Sequence, residues 1–119
     1  MAWEVEYTDE FGAWWETLTD EEQESVADAV GALQRHGPVL GRPFVDTIKS
    51  SRHPNMKELR PRRGNIRILF AFDPRRIALL LIGGDKSGQW EEWYRRMIPR
   101  ADRLYDEHLE TLRQEGEAP

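Results

Sequence analysis

Residues 65–73, "NIRILFAFD", constrain this chain more tightly than any other stretch. Ile66, Ile68, Phe70 and Phe72 recur with a period of two, and Arg67, Leu69 and Ala71 fall between them. That period belongs to a β-strand with one apolar face. "DPRR" (73–76) then supplies a turn with proline at its second position. "IALLLIGG" (77–84) is apolar on both faces, which predicts a central, covered strand. "MKELR" (56–60) precedes them as a short strand. The links are too short for crossovers, so these three strands form an antiparallel meander.

The flanking segments add a strand, helices and a loop. "AWEVEY" (2–7) alternates and reads as a strand that joins the sheet at an edge. Phe11, Trp14, Trp15 and Leu18 follow at helical spacing, so a short helix begins near Thr8–Asp9. "TDEE" (19–22) is a capping box, with Thr19 as N-cap and Glu22 three residues on. Val26, Ala29, Val30 and Leu33 form the apolar stripe of that second helix, and "HGP" ends it. Residues 38–55 read as a long loop, with "PFVDTI" (43–48) as its candidate core contact. In the last third, Trp93, Met97, Ala101, Leu104, His108 and Leu112 recur every three or four residues. Pro99 either kinks this helix or starts a second one. The expected fold is α+β: an N-terminal strand and helical hairpin, an antiparallel sheet of three to four strands with helices on one side, and a C-terminal helix kinked or split at Pro99. Residues 1–115 are expected to form one domain, and 116–119 a frayed tail.

Charge is distributed unevenly. The net charge is −5, yet residues 1–36 carry −9 and residues 49–76 carry +7. A local basic block suits phosphate better than the net charge suggests. The chain has no cysteine, which excludes disulfides, thiolate metal sites and a Cys nucleophile, and fits a cytoplasmic setting. The N-terminus lacks the pattern of a secretory signal, and the longest apolar run, 77–82, is far too short to span a bilayer. Neither a metal nor another cofactor is expected, because the three His have no metal-type spacing.

Lys57, Arg60, Arg67 and Lys86 are expected to project from neighbouring strands or strand ends onto one surface, with Arg62 and Arg63 at the turn between strands. Arginine grips phosphate through a bidentate fork, and lysine supplies a point charge. The competing reading is a solvated strand face whose arginines pair with the acidic helices. His53 lies ahead of the basic strand, within possible reach of phosphate. His36 reads as a helix-end residue and His108 as a packed one. "GGDKSG" (83–88) lacks the order of a P-loop. "WEEWY" (90–94) either packs on the sheet or offers a ring for stacking on an RNA base.

Taken together, "KELR", Gly64, "IRILFAFDPRR", "IALLLIGGDK" and the following helix resemble the RelE/HigB superfamily of bacterial type II toxins, in its phage-Gp49-like HigB branch. The resemblance covers nearly the whole chain, and residues 57–86 are its specific part. It implies a ribosome-dependent endoribonuclease that cuts mRNA without a metal: the ribose 2′-OH attacks the adjacent phosphate and leaves a 2′,3′-cyclic phosphate and a 5′-OH. Carried over by position, Arg67 would stabilise the phosphate, Lys57 and Arg60 would bind or orient it, and Lys86 would bind it or donate a proton. Tyr94, His53 or a lysine of lowered pKa are the candidates for proton acceptor. The catalytic candidates are thus Arg67, Lys86 and Tyr94, and the RNA-binding candidates Lys57, Arg60, Arg62, Arg63 and His53. The implied partners are a cognate helix-turn-helix antitoxin, the ribosome and mRNA, with DNA reached only through the antitoxin complex and no membrane. Two other classes fit the residues: a non-catalytic interaction module of the same fold, and a small enzyme holding an acidic substrate on Lys57, Arg60 and Arg67.

Overall fold

The computed structural model describes residues 2–116. Its elements are β1 (Val5–Tyr7), α1 (Asp9–Trp15), α2 (Asp20–His36), β2 (Val45–Thr47), β3 (Lys57–Leu59), β4 (Ile66–Phe72), β5 (Ala78–Asp85) and α3 (Trp90–Gln114). The sheet order is β1-β5-β4-β3-β2. The meander β3-β4-β5 is antiparallel, as its short links require, whereas the edge strand β1 runs parallel to β5. The sheet has five strands rather than three or four. The extra one, β2, lies in the stretch expected to be a loop, and Val45 pairs with Leu59. Three residues are too few to show a periodicity in the sequence.

Local signals place the helices where they were expected. The Thr8 hydroxyl accepts the Phe11 N–H at 3.0 Å and donates to the Leu81 carbonyl at 2.6 Å, so it caps α1 and ties it to β5. The capping box opens α2: the Glu22 N–H donates to Thr19 Oγ1 at 3.2 Å and the Thr19 N–H to Glu22 Oε1 at 2.9 Å. Gly37 closes α2 with φ +61° and leaves room for the Trp3 indole.

The helices do not gather on one side of the sheet. The hairpin covers one face, where Phe11, Val26 and Leu33 pack with Ile68, Phe70 and Leu80. The helix α3 covers the other, where Trp93, Met97, Ala101 and Tyr105 pack with Leu69, Ala71 and Leu81. It runs unbroken through the exposed Pro99 rather than splitting there. Two consequences for β5 follow. A bulge lets Leu69 oppose Ile82 and Phe70 oppose Leu80, so Leu81 and Ile82 both face α3. Beyond it, the two glycines lie under large rings on opposite faces. A Cβ on Gly83 would sit 2.4 Å from the Trp14 ring, and one on Gly84 2.4 Å from the Trp93 indole nitrogen.

A buried carboxylate fastens the far half of α3. Asp73 in the β4–β5 turn accepts hydrogen bonds from Arg75 Nε at 3.0 Å, from the Arg75 and Ile77 N–H groups, and sits 2.8 Å from His108 Nε2. Burial alone would raise its pKa, but the bonds from His108, Arg75 and the backbone outweigh that and hold it below the usual carboxylate range. His108 is therefore a structural partner of Asp73. Residues 117–119 of the expected tail lie outside the described residues.

Gly83→Ala and Gly84→Ala are each expected to lower stability by about 1–3 kcal/mol in urea unfolding, because the surroundings are aromatic rings that must shift. Asp73→Asn is expected to cost about 3 kcal/mol at neutral pH. Because the folded pKa is depressed, the wild-type contribution is present above the unfolded carboxylate pKa. It disappears as pH falls through the folded value, so wild type and variant should converge in acid.

Candidate functional site

Alternation along β3 and β4 decides which side chains meet. Leu59 pairs with Ile68 and Lys57 with Phe70, all on the hairpin face. Glu58 pairs with Leu69 and therefore lies on the α3 face, as does Arg67 two residues earlier on β4. Arg67 in turn opposes Gly84, and Lys86 follows Gly84 on the same face. Tyr94 in the first turns of α3 completes the group from above.

At its centre Glu58 is only 3 % exposed. Its Oε2 accepts Arg60 Nε at 2.9 Å and Arg60 Nη2 at 2.8 Å, a forked pair that Asp46 extends at 3.3 Å from Nη2. Its Oε1 accepts the Tyr94 hydroxyl and lies 3.9 Å from Arg67 Nε. Among the described residues, Arg67 Nε is the one buried side-chain nitrogen or oxygen that lacks a hydrogen-bond partner. Its neighbour Nη1 donates to the Ile66 carbonyl at 2.8 Å, which fixes the guanidinium. An unpaired buried donor is costly, so this one marks a place where hydrogen-bonding capacity goes unused within the described chain.

Of the three perturbed titratable groups in the cluster, Arg60, Lys86 and Tyr94, the last two bear on proton transfer. Burial pushes the Tyr94 phenol up to about 12, and its hydrogen bond to Glu58 adds to the effect. Tyr94 is therefore a hydrogen-bond donor at neutral pH rather than a base. Burial and the Arg67 charge lower the Lys86 pKa, Glu58 opposes them, and Arg60 lowers it further. Lys86 releases its proton more readily than a free lysine. Its ammonium also lies 5.6 Å from the centre of the half-exposed Trp90 ring, whereas Trp93 is buried in the core.

Of the residues singled out in the sequence, Arg60, Arg67, Lys86 and Tyr94 come together. Lys57 does not join them, because it projects from the other face of β3. Arg63 is turned towards α2, where it pairs with Glu21, and Arg62 lies over the Phe44 ring at 5.2 Å. His53 pairs with Asp106 at 2.7 Å and packs edge-on against Tyr105. Tyr94 and Asp106 are twelve residues apart on α3, or about 18 Å at 1.5 Å per residue. The sequence reading missed Glu58. The available signal was parity: Leu59 must face the core, so Glu58 and Lys57 cannot both face Arg67.

The sequence and the α+β fold match known proteins. Residues 13–106 match the family described as "Phage derived protein Gp49-like (DUF891)". Two proteins of Mycobacterium tuberculosis are similar. "Putative toxin HigB3" is 52 % identical over 96 residues, 81 % of this chain and 84 % of that protein. "Putative toxin HigB2" is 50 % identical over 100 residues, 82 % of this chain and 50 % of that protein, so the chain spans about half of that relative. Among solved structures, the isolated Escherichia coli RelE toxin aligns with a TM-score of 0.60 at 12 % identity, over 81 % of this chain and 99 % of that one. The RelE of the RelE–RelB complex of Pyrococcus horikoshii aligns at 0.59 and 13 %, over 74 % and 99 %. These two show the fold alone. The chain belongs to the Gp49-like family, within the RelE/HigB toxin superfamily.

Replacing Glu58 by Gln should lower the Tyr94 pKa from about 12 only part of the way to that of free tyrosine, because burial is the larger cause and persists. Titration of the Tyr94 ring by NMR checks this: no movement would mean that the Glu58 contact contributes nothing.

Proposed function

We propose that this chain is the toxin of a type II toxin–antitoxin pair and cleaves mRNA on the ribosome by attack of a ribose 2′-OH on the adjacent phosphate. The observation that carries the reading is the Glu58 carboxylate set among Arg60, Arg67, Lys86 and the Tyr94 hydroxyl. The HigB relatives and the family resemblance supply the toxin context.

The chemistry has three demands, and each finds a side chain. Glu58 takes the 2′-OH proton as the bond from the 2′-oxygen to phosphorus forms, the hydrogen bond from Tyr94 and the fork of Arg60 holding its oxygens in place. Arg67, its guanidinium held by the Ile66 carbonyl, stabilises the extra negative charge on the non-bridging oxygens through its exposed edge. The bond from phosphorus to the 5′-oxygen breaks, and Lys86 supplies that oxygen with a proton, which its lowered pKa favours. The products are a 2′,3′-cyclic phosphate and a 5′-OH. Tyr94, staying neutral, orients Glu58 and does not accept the proton. Lys57, Arg62, Arg63 and His53 lie away from this cluster and take no part in the cleavage step.

Induced expression in bacteria tests this. Wild type should arrest growth and yield cyclic-phosphate mRNA ends only when ribosomes are present. Arg67→Ala should reduce cleavage by about 10²–10³-fold, and Glu58→Gln by about 10²–10⁴-fold, in variants shown to be folded by circular dichroism. A wild type that neither arrests growth nor cuts mRNA sinks the reading. A fully active Arg67→Ala sinks the assignment of the site.

The pH profile should also carry the Lys86 signature. A general acid must be protonated, so cleavage should fall as pH rises through its lowered pKa. Lys86→Arg should move that alkaline limb upward. An unmoved limb removes Lys86 as the donor.

A further inference from the structure

The apolar residues of the hairpin do not all face the core. An open groove of about 470 Å³ runs between α1, α2 and the edge strand β1, walled by Val5, Tyr7, Phe11, Trp15, Ala27 and Val30. Tyr7 stands at its rim, 65 % exposed. Its ring packs on Phe11 at 5.8 Å between centroids and lies along the bare backbone of Gly12, where a Cβ would be 3.4 Å away. An aromatic ring held at the rim of an apolar groove marks a contact surface.

The charge around the groove says what kind of surface it meets. Glu6 and Glu21 are held by Arg75 and Arg63. Glu16 lines the groove itself; Asp9, Glu10, Asp20, Glu24 and Asp28 lie elsewhere on the same two helices, all six are exposed, and none of them is in an ion pair among the described residues. Arg35 is the one basic residue in 1–36. A surface of this sign repels nucleic acid, an anionic bilayer and a second copy presenting the same face.

We infer that the groove between β1, α1 and α2 docks a cationic amphipathic segment of a protein partner, its apolar side chains entering beside Tyr7 while its Lys and Arg meet the surrounding carboxylates. Identifying that partner as the antitoxin rests on the toxin reading above. The groove lies on the hairpin face of the sheet, and the Glu58 cluster lies on the other face. The two charge signs thus serve two different partners.

The test uses the full chain with a synthetic Leu/Lys amphipathic peptide and its Leu/Glu counterpart. The Leu/Lys peptide should bind, more weakly at high salt, and should perturb NMR resonances of Tyr7, Trp15 and Ala27. Tyr7→Ser and Ala27→Lys, both at exposed positions, should each weaken binding at least about tenfold. Glu107→Gln, the same change in charge as Ala27→Lys but placed on α3, should not. Equal binding of the Leu/Glu peptide, perturbations confined to α3, or groove variants that bind like wild type each overturn the inference. Growth arrest without this binding removes the docking inference alone. Binding without growth arrest leaves the groove standing and removes the toxin reading.

Discussion

Three buried carboxylates hold α3 against the rest of the molecule, and the site depends on that attachment. Glu58 on β3 accepts from Tyr94, Asp102 on α3 accepts from Ser51 and the Arg52 N–H, and Asp73 in the β4–β5 turn meets His108. These are the buried charged residues among those described. They engage α3 at positions 94, 102 and 108, so the helix is tied near its start, its middle and its far half. A buried carboxylate is tolerable only when its hydrogen bonds are made, and each of these can make them only if α3 lies where it does. The apolar contacts of Trp93, Met97 and Tyr105 supply attraction, but such contacts are tolerant of sliding. The carboxylates fix the register.

That register sets the chemistry. With α3 placed, Tyr94 closes over Glu58, and Arg67 is left partly covered with an unpaired Nε. Cover lowers the local dielectric, which strengthens each charge contact and shifts the Tyr94 and Lys86 proton affinities in opposite directions. An exposed patch of the same basic residues would bind phosphate weakly and lack the proton relationships that the proposed cleavage requires. The net charge of −5 conceals two surfaces of opposite sign. The acidic residues of the hairpin lie on one side of the sheet and the basic cluster on the other.

Much of this fold can be read from periodicity and capping. The β3-β4-β5 meander, the Thr19 box and the Gly37 stop are local features, written in a few neighbouring residues, and the structure places them accordingly. The family resemblance also reached the right class, because its motif lies in the same local stretch. Other elements could not be read this way. The strand β2 is too short to have a period, and Pro99 sits in a helix that tertiary contacts carry past the missing N–H. Lys57 and Arg67 lie on neighbouring strands of the meander, but a shift of one residue along a strand moves a side chain to the opposite face.

The sequence by itself determined the helical hairpin, the meander and the segregation of positive charge into one segment. Each is encoded by residues close together in the chain. Only the tertiary structure decided that Glu58, Arg60, Arg67, Lys86 and Tyr94 share one site while Lys57, Arg63 and His53 do not. That depends on strand pairing, on the bulge in β5 and on α3 crossing the second face, where residues up to 36 positions apart meet. Such contacts are selected by how well buried polar groups are satisfied across the whole fold, and no local pattern records that.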